Sequence, residues 1–269
     1  MKNYLKDSAQ QTSLPDNWIE RVKEIRKAQN FKEVYSHYFS RHFSFIITAS
    51  LSYTSITPHQ ITISMIPIGI IGFGFLCFGT PSSFLIGGLL FTLLNIADAV
   101  DGELARYKNV TSIAGDYLDR VAHYFTNSLA ILGTGIGLFI QYDLTWILIF
   151  ACLIEVVYTF DEVARDLLVT CGLQSIESQG SNRKELKSIS KIKIPTKIKK
   201  ILELTATNLA FFHLLVVFSL LDILFVLHFK YSPNEVFFVA NFALFFSVAT
   251  IAKALVRTRK IHNSFFKAS

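Results

Sequence analysis

Long runs of apolar residues, separated by short polar stretches, dominate the chain after residue 60. At a rise of 1.5 Å per residue, about 20 apolar residues in a helix cross the hydrocarbon core of a bilayer. The third and fourth runs carry charges near one end, which we expect to project into water. The pattern predicts an all-α integral membrane protein with six transmembrane helices, at residues 61–79, 82–102, 115–141, 144–171, 203–228 and 233–256.

The first 56 residues follow a different pattern, in which apolar residues recur at helical spacing among Lys, Arg and Glu. This predicts an interfacial amphipathic helix whose aromatic residues suit the headgroup layer, and the alternative is a soluble cap packed on another part of the protein. No early apolar segment with a cleavage site is visible, so we expect no signal peptide. The apolar positions are Trp18, Val22, Ile25, Phe31, Val34, Tyr35, Tyr38 and Phe39.

The charge distribution predicts which side of the membrane each connection occupies. With six alternating spans, 25 of the 26 Lys and Arg residues fall on the side of the two termini, and only Lys230 falls on the other. By the positive-inside rule, both termini are expected to be cytoplasmic. The predicted organisation is an N-terminal region (1–56), a six-helix domain (57–258) containing a basic loop (172–202), and a cytoplasmic tail (259–269).

Composition agrees with this membrane assignment. Hydrophobic residues make up 51% of the chain, the mean hydropathy is +0.42 and only 17% of residues are charged, values that are unusual for a soluble domain. The net charge of +6 is distributed in a way that favours contact with lipid headgroups, and we expect no nucleic-acid partner. The three cysteines are scattered in or beside apolar runs and show no metal or redox spacing.

One polar cluster interrupts the apolar sequence between the second and third predicted spans. Asp98 and Asp101 are three residues apart at the end of one helix, and Asp116, Asp119 and His123 share a face at the start of the next. Two helices joined by a short loop are expected to be antiparallel neighbours, so the acidic faces can converge. A divalent cation removes the resulting repulsion, and hard oxygen ligands suit Mg²⁺ or Mn²⁺.

The same segment contains a specific motif. The pattern D-x2-D-G-x2-A-R-x8-G-x3-D resembles the signature of the CDP-alcohol phosphotransferase family. A second, weaker match precedes the first span, where Thr57-Pro58-His59-Gln60-Ile61-Thr62 is similar to T-P-N-x-x-T. The residues that match the signature are Asp98, Asp101, Gly102, Ala105, Arg106, Gly115 and Asp119.

This resemblance implies a function and a set of roles. Family members bind a CDP-linked alcohol and use two divalent cations, Mg²⁺ or Mn²⁺. An acceptor hydroxyl attacks the phosphorus distal to cytidine, and CMP leaves. The expected partners are therefore the CDP-alcohol donor, the hydroxyl acceptor, membrane lipids and a second copy in a homodimer, in a bacterial or archaeal-type cytoplasmic membrane. By position, Asp98, Asp101 and Asp119 are the expected metal ligands, and Thr62, Gly102, Ala105, Arg106 and Gly115 are expected to line the CDP site.

The chain departs from the family pattern at one position, because His123 replaces the fourth aspartate. An imidazole can act as a general base or ligate a metal, although nitrogen suits Mn²⁺ or Zn²⁺ better than Mg²⁺. We hypothesise that His123 acts as the general base, together with Asp119 at the catalytic centre, while Asp116 lies near the second metal. The alternative is that His123 only forms a hydrogen bond in a member without activity.

Two donors and two other classes of protein remain open from the sequence. The donor is either CDP-diacylglycerol, which we favour by analogy with bacterial-type members of this length, or a small CDP-alcohol whose phospho-alcohol group moves to a lipid or polyol. An ion transporter requires acids that are reachable from both faces and usually repeated halves, and neither is visible. A lipid-binding protein without activity is the remaining alternative.

Overall fold

The computed structural model describes residues 17–27, 36–170, 208–229 and 236–267, and these residues form eight helices and no strand. The all-α prediction is confirmed for this part of the chain. The predicted basic loop lies outside the described residues, and the last helix continues through most of the predicted tail. The helices are α1 (Trp18–Lys27), α2 (Ser36–Leu51), α3 (Pro58–Cys77), α4 (Pro81–Tyr107), α5 (Ile113–Tyr142), α6 (Thr145–Thr170), α7 (Asn208–Phe229) and α8 (Phe237–Lys267).

Four of the described helices are long and apolar enough to cross a bilayer, namely α3, α4, the segment Phe211–His228 of α7 and the segment Phe237–Thr258 of α8. Helices α5 and α6 occupy the other two predicted spans with 30 and 26 residues, and they are not among these four. Some of their polar side chains face the protein interior: Asn127 is 4% exposed and Asp161 is 5% exposed. Six membrane crossings therefore remain a prediction. Four of the six predicted helices meet the requirements of length and polarity for a crossing.

Local sequence determines where α3 and α4 begin. The Thr57 hydroxyl accepts a hydrogen bond from the Gln60 backbone N–H at 3.3 Å, and the Gln60 side chain accepts one from the Thr57 N–H at 3.0 Å. Pro58 occupies the first turn, where no backbone donor is needed. Thr80 and Ser83 form the same reciprocal cap on α4. The Thr57-Pro58 stretch is thus a helix start as well as part of a motif.

Glycines allow α3, α4 and α5 to approach each other at backbone distance. A Cβ atom added at Gly137 of α5 would lie 2.2 Å from the Leu76 carbonyl oxygen of α3, and one added at Gly87 of α4 would lie 2.5 Å from Leu76 Cδ2. Gly79, which joins α3 to α4, has a φ of +70° and lies against the Gly137 carbonyl. These three helices therefore form a close-packed unit that carries the motif residues.

Helices α7 and α8 complete the bundle and are joined by a buried acid. Phe91 of α4 stacks on Phe212 of α7 with 5.2 Å between ring centroids. Asp222 of α7 is 2% exposed, and its two carboxylate oxygens accept hydrogen bonds from the backbone N–H groups of Phe238 at 2.8 Å and Val239 at 3.0 Å. These donors belong to the first turn of α8, which has no intrahelical acceptor for them. Asp222 thus caps α8 from another helix.

The described part of the predicted amphipathic region forms two helices, and part of its apolar surface packs on the protein. Ile25 of α1 forms a buried cluster with Phe45 and Ala49 of α2, against which Val22 and Tyr107 pack. Trp18 remains 41% exposed. Contact between this region and lipid headgroups stays a prediction. The other apolar positions of the pattern, between residues 31 and 39, lie outside the described residues or side chains.

We expect Gly137→Ala to lower the melting temperature of the detergent-solubilised protein, because the added methyl group meets a backbone carbonyl of α3 that cannot move aside. Overpacking of this kind typically costs about 1–3 kcal/mol. Gly74→Ala is the matched control, since a Cβ atom there meets nothing within 4 Å. Thermal unfolding followed by circular dichroism compares the two variants, and equal melting temperatures would contradict the close-packed unit.

Candidate active site

Three carboxylates from two helices converge at the end of α4 that precedes α5. Asp98 and Asp119 lie within hydrogen-bonding reach of each other, and the charges of both act on Asp101. Asp101 is 5% exposed. The Oδ1 atom of Asp119 is buried and has no hydrogen-bond partner among the described residues. The helix pair α4–α5 therefore concentrates negative charge and leaves one buried acceptor oxygen available.

Helix α3 supports this cluster through a single hydroxyl. Thr62 Oγ1 donates to Asp101 Oδ2 at 2.5 Å, and it also lies 3.2 Å from the Pro58 carbonyl oxygen in its own helix. Thr62 is 4% exposed, so this hydrogen bond is shielded from water. The last residue of the weaker motif thus contacts the second aspartate of the stronger one.

His123 lies beside the acidic cluster, one turn after Asp119 on α5. Its Nδ1 atom is 3.7 Å from Asp98 Oδ1, which is longer than a hydrogen bond and within ion-pair range. Glu162 of α6, only 2% exposed, is another of the charges that act on this imidazole. The histidine that replaces the family's aspartate is therefore surrounded by acids from three helices.

Asp116 is engaged outside the cluster. Its carboxylate is 3.2 Å from Arg120 Nε, and its side chain is 65% exposed. Arg120 also pairs with Asp166 of α6 at 2.8 Å, and Tyr124 donates to the same carboxylate at 2.5 Å. The hypothesis that Asp116 lies near a second metal requires this ion pair to open.

The small residues of the motif, which are expected to line the CDP site, lie beside side chains of the two motifs. A Cβ atom added at Gly102 would lie 3.3 Å from Arg106 Nη1, so the guanidinium group of this exposed arginine covers the glycine. A Cβ atom added at Gly115 would lie 3.3 Å from the imidazole carbon Cε1 of His59. Ala105 is partly buried on the same helix as Gly102. The two motifs therefore meet a second time, at Gly115 and His59.

A second charged group joins α6 to α8, and sequence reasoning did not predict this link between the two helices. Arg257 Nη1 lies 2.8 Å from Asp161 Oδ2, and Lys253 Nζ lies 3.6 Å from Asp161 and 3.8 Å from Glu162. The spacing of Lys253 and Arg257 by four residues places both on one face of α8. Two cations four residues apart in one apolar helix, together with acids inside another apolar helix, are the signal in the sequence that predicts contact between the two helices.

A cavity of about 300 Å³ lies among α5, α6, α7 and α8, away from these residues. Its lining includes Trp146, Phe150 and Leu244 and contains no charged side chain among the described residues. A phosphate group needs donors or cations, so this cavity does not compete with the acidic cluster as a phosphate site.

The acidic cluster fits a divalent cation by donor type. Carboxylate oxygens are the ligands that Mg²⁺ and Mn²⁺ prefer, and the unpartnered Oδ1 atom of Asp119 is a buried acceptor that a cation satisfies. Within the described ranges, no three His, Cys, Asp or Glu side chains are arranged to hold a metal ion as they stand. The cluster thus supplies the donors without a closed coordination shell.

Comparison with known proteins agrees with the motifs. A family model described as CDP-alcohol phosphatidyltransferase matches residues 55–232, which include both motifs and the acidic cluster. A curated protein of Thermococcus kodakarensis, named "Bifunctional IPC transferase and DIPP synthase", is 30% identical over 112 residues. The match covers 38% of this chain and 25% of that relative, so the chain spans about a quarter of the relative's length.

We expect Asp101→Asn to raise the melting temperature of metal-free protein, because one of three clustered charges is removed, and to abolish the further stabilisation that Mn²⁺ produces. Asp143→Asn makes the same chemical change at the opposite end of α5, where Asp143 is exposed. Melting temperatures with chelator and with Mn²⁺ test both variants. A Mn²⁺ response that survives in Asp101→Asn and matches the control would contradict a metal site at this cluster.

Proposed function

Because this chain belongs to the CDP-alcohol phosphatidyltransferase family and is therefore a transferase of substituted phosphate groups, we propose that it transfers a phosphatidyl group from CDP-diacylglycerol to an acceptor hydroxyl, releasing CMP, in phospholipid biosynthesis. The observation that carries the proposal is the meeting of Asp98, Asp101 and Asp119 within the matched region. Clustered acids at the end of apolar helices are costly unless they bind something positive.

The acids are the groups that hold divalent cations in this proposal. The family is generally dependent on divalent metals. We assign Asp98, Asp101 and Asp119 as ligands to two Mg²⁺ or Mn²⁺ ions, with His123 as a further candidate, and Asp116 joins them only if it leaves Arg120. When bound, such cations would neutralise the negative charge of the acids and of the donor's pyrophosphate. Thr62 keeps one oxygen of Asp101 occupied, so it fixes the direction in which the other oxygen is presented.

The donor's phosphates and cytidine are placed beside the same cluster. Arg106 offers a planar set of donors that matches phosphate oxygens, and it is exposed at the helix end. If the guanidinium group moves onto a phosphate, the space above Gly102 becomes free for the nucleotide. Ala105 has only a methyl side chain and Gly115 has none, so both leave space beside this position. These four residues and Thr62 form the proposed CDP site.

His123 is proposed as the general base. Its Nδ1 atom is the nitrogen next to Asp98, so the Nε2 atom takes the proton of the acceptor hydroxyl. The acceptor oxygen then forms a bond to the phosphorus distal to cytidine, and the bond between that phosphorus and the oxygen of CMP breaks. Asp98 and Glu162 stabilise the positive charge that the imidazole gains.

The helices place this chemistry at a membrane surface. Four apolar helices and the family make the chain an integral membrane protein. We propose six crossings, cytoplasmic termini and a cytoplasmic site, with the lipid chains of the donor beside the apolar helices, and a homodimer as the assembly. The excess of Lys and Arg on one side supports this orientation.

A second candidate is transfer of a phospho-alcohol from a small CDP-alcohol to a lipid or polyol. It is favoured by the similarity to the Thermococcus protein, which is named as an IPC transferase and DIPP synthase and not as a phosphatidyltransferase. The two candidates share the acidic cluster and differ in the group that leaves with the distal phosphorus.

We expect purified protein with Mg²⁺ or Mn²⁺ to release CMP from CDP-diacylglycerol when a suitable acceptor alcohol is present, and to lose this activity in chelator. A panel of small CDP-alcohols is tested in parallel, and CMP release from one of them in place of CDP-diacylglycerol would favour the second candidate. Chromatography quantifies the CMP. CMP release that is undiminished by chelator contradicts the metal proposal. No release from any donor favours a lipid-binding member without activity, and metal flux into proteoliposomes would indicate a transporter.

We expect His123→Ala to lower turnover at least 100-fold, since general base catalysis typically contributes about 10²–10⁴-fold, and to leave binding of the CDP-alcohol largely intact. His123→Asp restores the family's residue and is expected to retain metal-dependent CMP release. Turnover and donor binding measured on both variants test the assignment. A wild-type rate in His123→Ala would refute the role of His123 as a base.

A further inference from the structure

Glu103 lies inside the motif, between Asp101 and Arg106, but its side chain is buried against the N-terminal region. It is 2% exposed. Ser44 Oγ donates to Glu103 Oε1 at 2.8 Å, and Thr48 Oγ1 donates to Glu103 Oε2 at 2.8 Å. Ser44 and Thr48 are both 0% exposed and are four residues apart, so they form one face of α2. Each carboxylate oxygen therefore receives its own hydroxyl donor.

Two more contacts hold the same end of α4 to the N-terminal region. Tyr107, one turn after Glu103, packs against the buried cluster that Ile25 and Phe45 form. Lys108, the C-cap residue of α4, donates from Nζ to the backbone carbonyls of Thr54 and Ile56, at 2.9 Å each. The last two turns of α4 are thus attached to α1, to α2 and to the segment before α3.

The contacts to α1 and α2 lie on the side of α4 opposite to the metal-binding acids. At about 100° per residue, Glu103 lies roughly 160° around the helix from Asp101, and Tyr107 lies roughly opposite Asp98. A helix is stiff about its axis, so a rotation that moves Glu103 on one side also moves Asp98 and Asp101 on the other. The hydrogen bonds from α2 thereby set the direction in which the two aspartates face Asp119.

We propose that Glu103 is a positioning residue, which Ser44 and Thr48 hold so that α4 presents Asp98 and Asp101 to the metal ions. This inference rests on the proposed function for the role of the metals. It gives the N-terminal region a part in the reaction besides membrane anchoring. Glu103 itself does not contact the donor, since both of its oxygens are engaged by α2.

The test uses Ser44→Ala combined with Thr48→Val, which removes both hydroxyls and leaves the motif unchanged. We expect the Mn²⁺ concentration for half-maximal CMP release to rise at least tenfold, because loss of groups that orient metal ligands typically costs about 10–100-fold in affinity or activity. Mn²⁺ binding followed by electron paramagnetic resonance, which needs no turnover, is expected to weaken by a similar factor.

Asp222→Asn is the control, because it also disturbs the hydrogen bonds of a buried carboxylate that accepts two of them, on α7 rather than at the site. It is expected to lower the melting temperature while its Mn²⁺ half-saturation stays within about twofold of wild type. If the double variant loses thermal stability but keeps the wild-type Mn²⁺ half-saturation, Glu103 is structural only and the inference is overturned.

A conservative variant keeps the test decisive if the double variant does not fold. Glu103→Gln retains one carbonyl acceptor, so a rise of at least threefold in Mn²⁺ half-saturation supports the positioning role, and an unchanged value overturns it. Wild-type protein that releases no CMP from any CDP-alcohol contradicts the proposed function alone. In that case Mn²⁺ binding by the variants still decides the role of Glu103.

Discussion

The repulsion among Asp98, Asp101 and Asp119 is the constraint on which the rest of the structure depends. Three carboxylates meet where α4 and α5 leave the apolar part of the bundle, and the hydroxyl of Thr62 donates a short hydrogen bond to one of them, Asp101. Such an arrangement opposes folding unless other interactions hold the helices in place. A bound cation would relieve the same repulsion, which is why we propose this cluster as the metal site.

The interactions that oppose this repulsion lie on other faces of the same helices. Glycines 79, 87 and 137 bring α3, α4 and α5 to backbone contact at the far end of the bundle. Near the site, the N-terminal helices hold α4 through Glu103 and Tyr107. Helix α4, which carries two of the three acids, is therefore held by packed contacts at both of its ends. A rigid frame suits a transferase that must keep its site residues in place while substrates exchange.

Replacement of the fourth aspartate by His123 changes the charge balance of the site. A neutral imidazole in place of a carboxylate removes one negative charge from the cluster, and Asp98 and Glu162 are among the charges that act on it. Asp116, which lies on the same stretch of helix, is paired with Arg120 and exposed. Glu162 of α6 places a further buried acid beside the imidazole, and this acid lies 3.8 Å from Lys253 of α8.

Several features were determined by the sequence alone. The length of the apolar runs predicted the long helices, because the period and length of hydrophobic segments are local properties, and the spacing of Asp98 and Asp101 placed both on one face of α4. Tertiary structure decided the pairings between distant segments: Arg120 with Asp166, Asp161 with Arg257, and Glu103 with Ser44 and Thr48. The sequence offers each of these charged residues several candidate partners. Only the rotation and depth of each packed helix, which depend on contacts across the whole bundle, selected one of them.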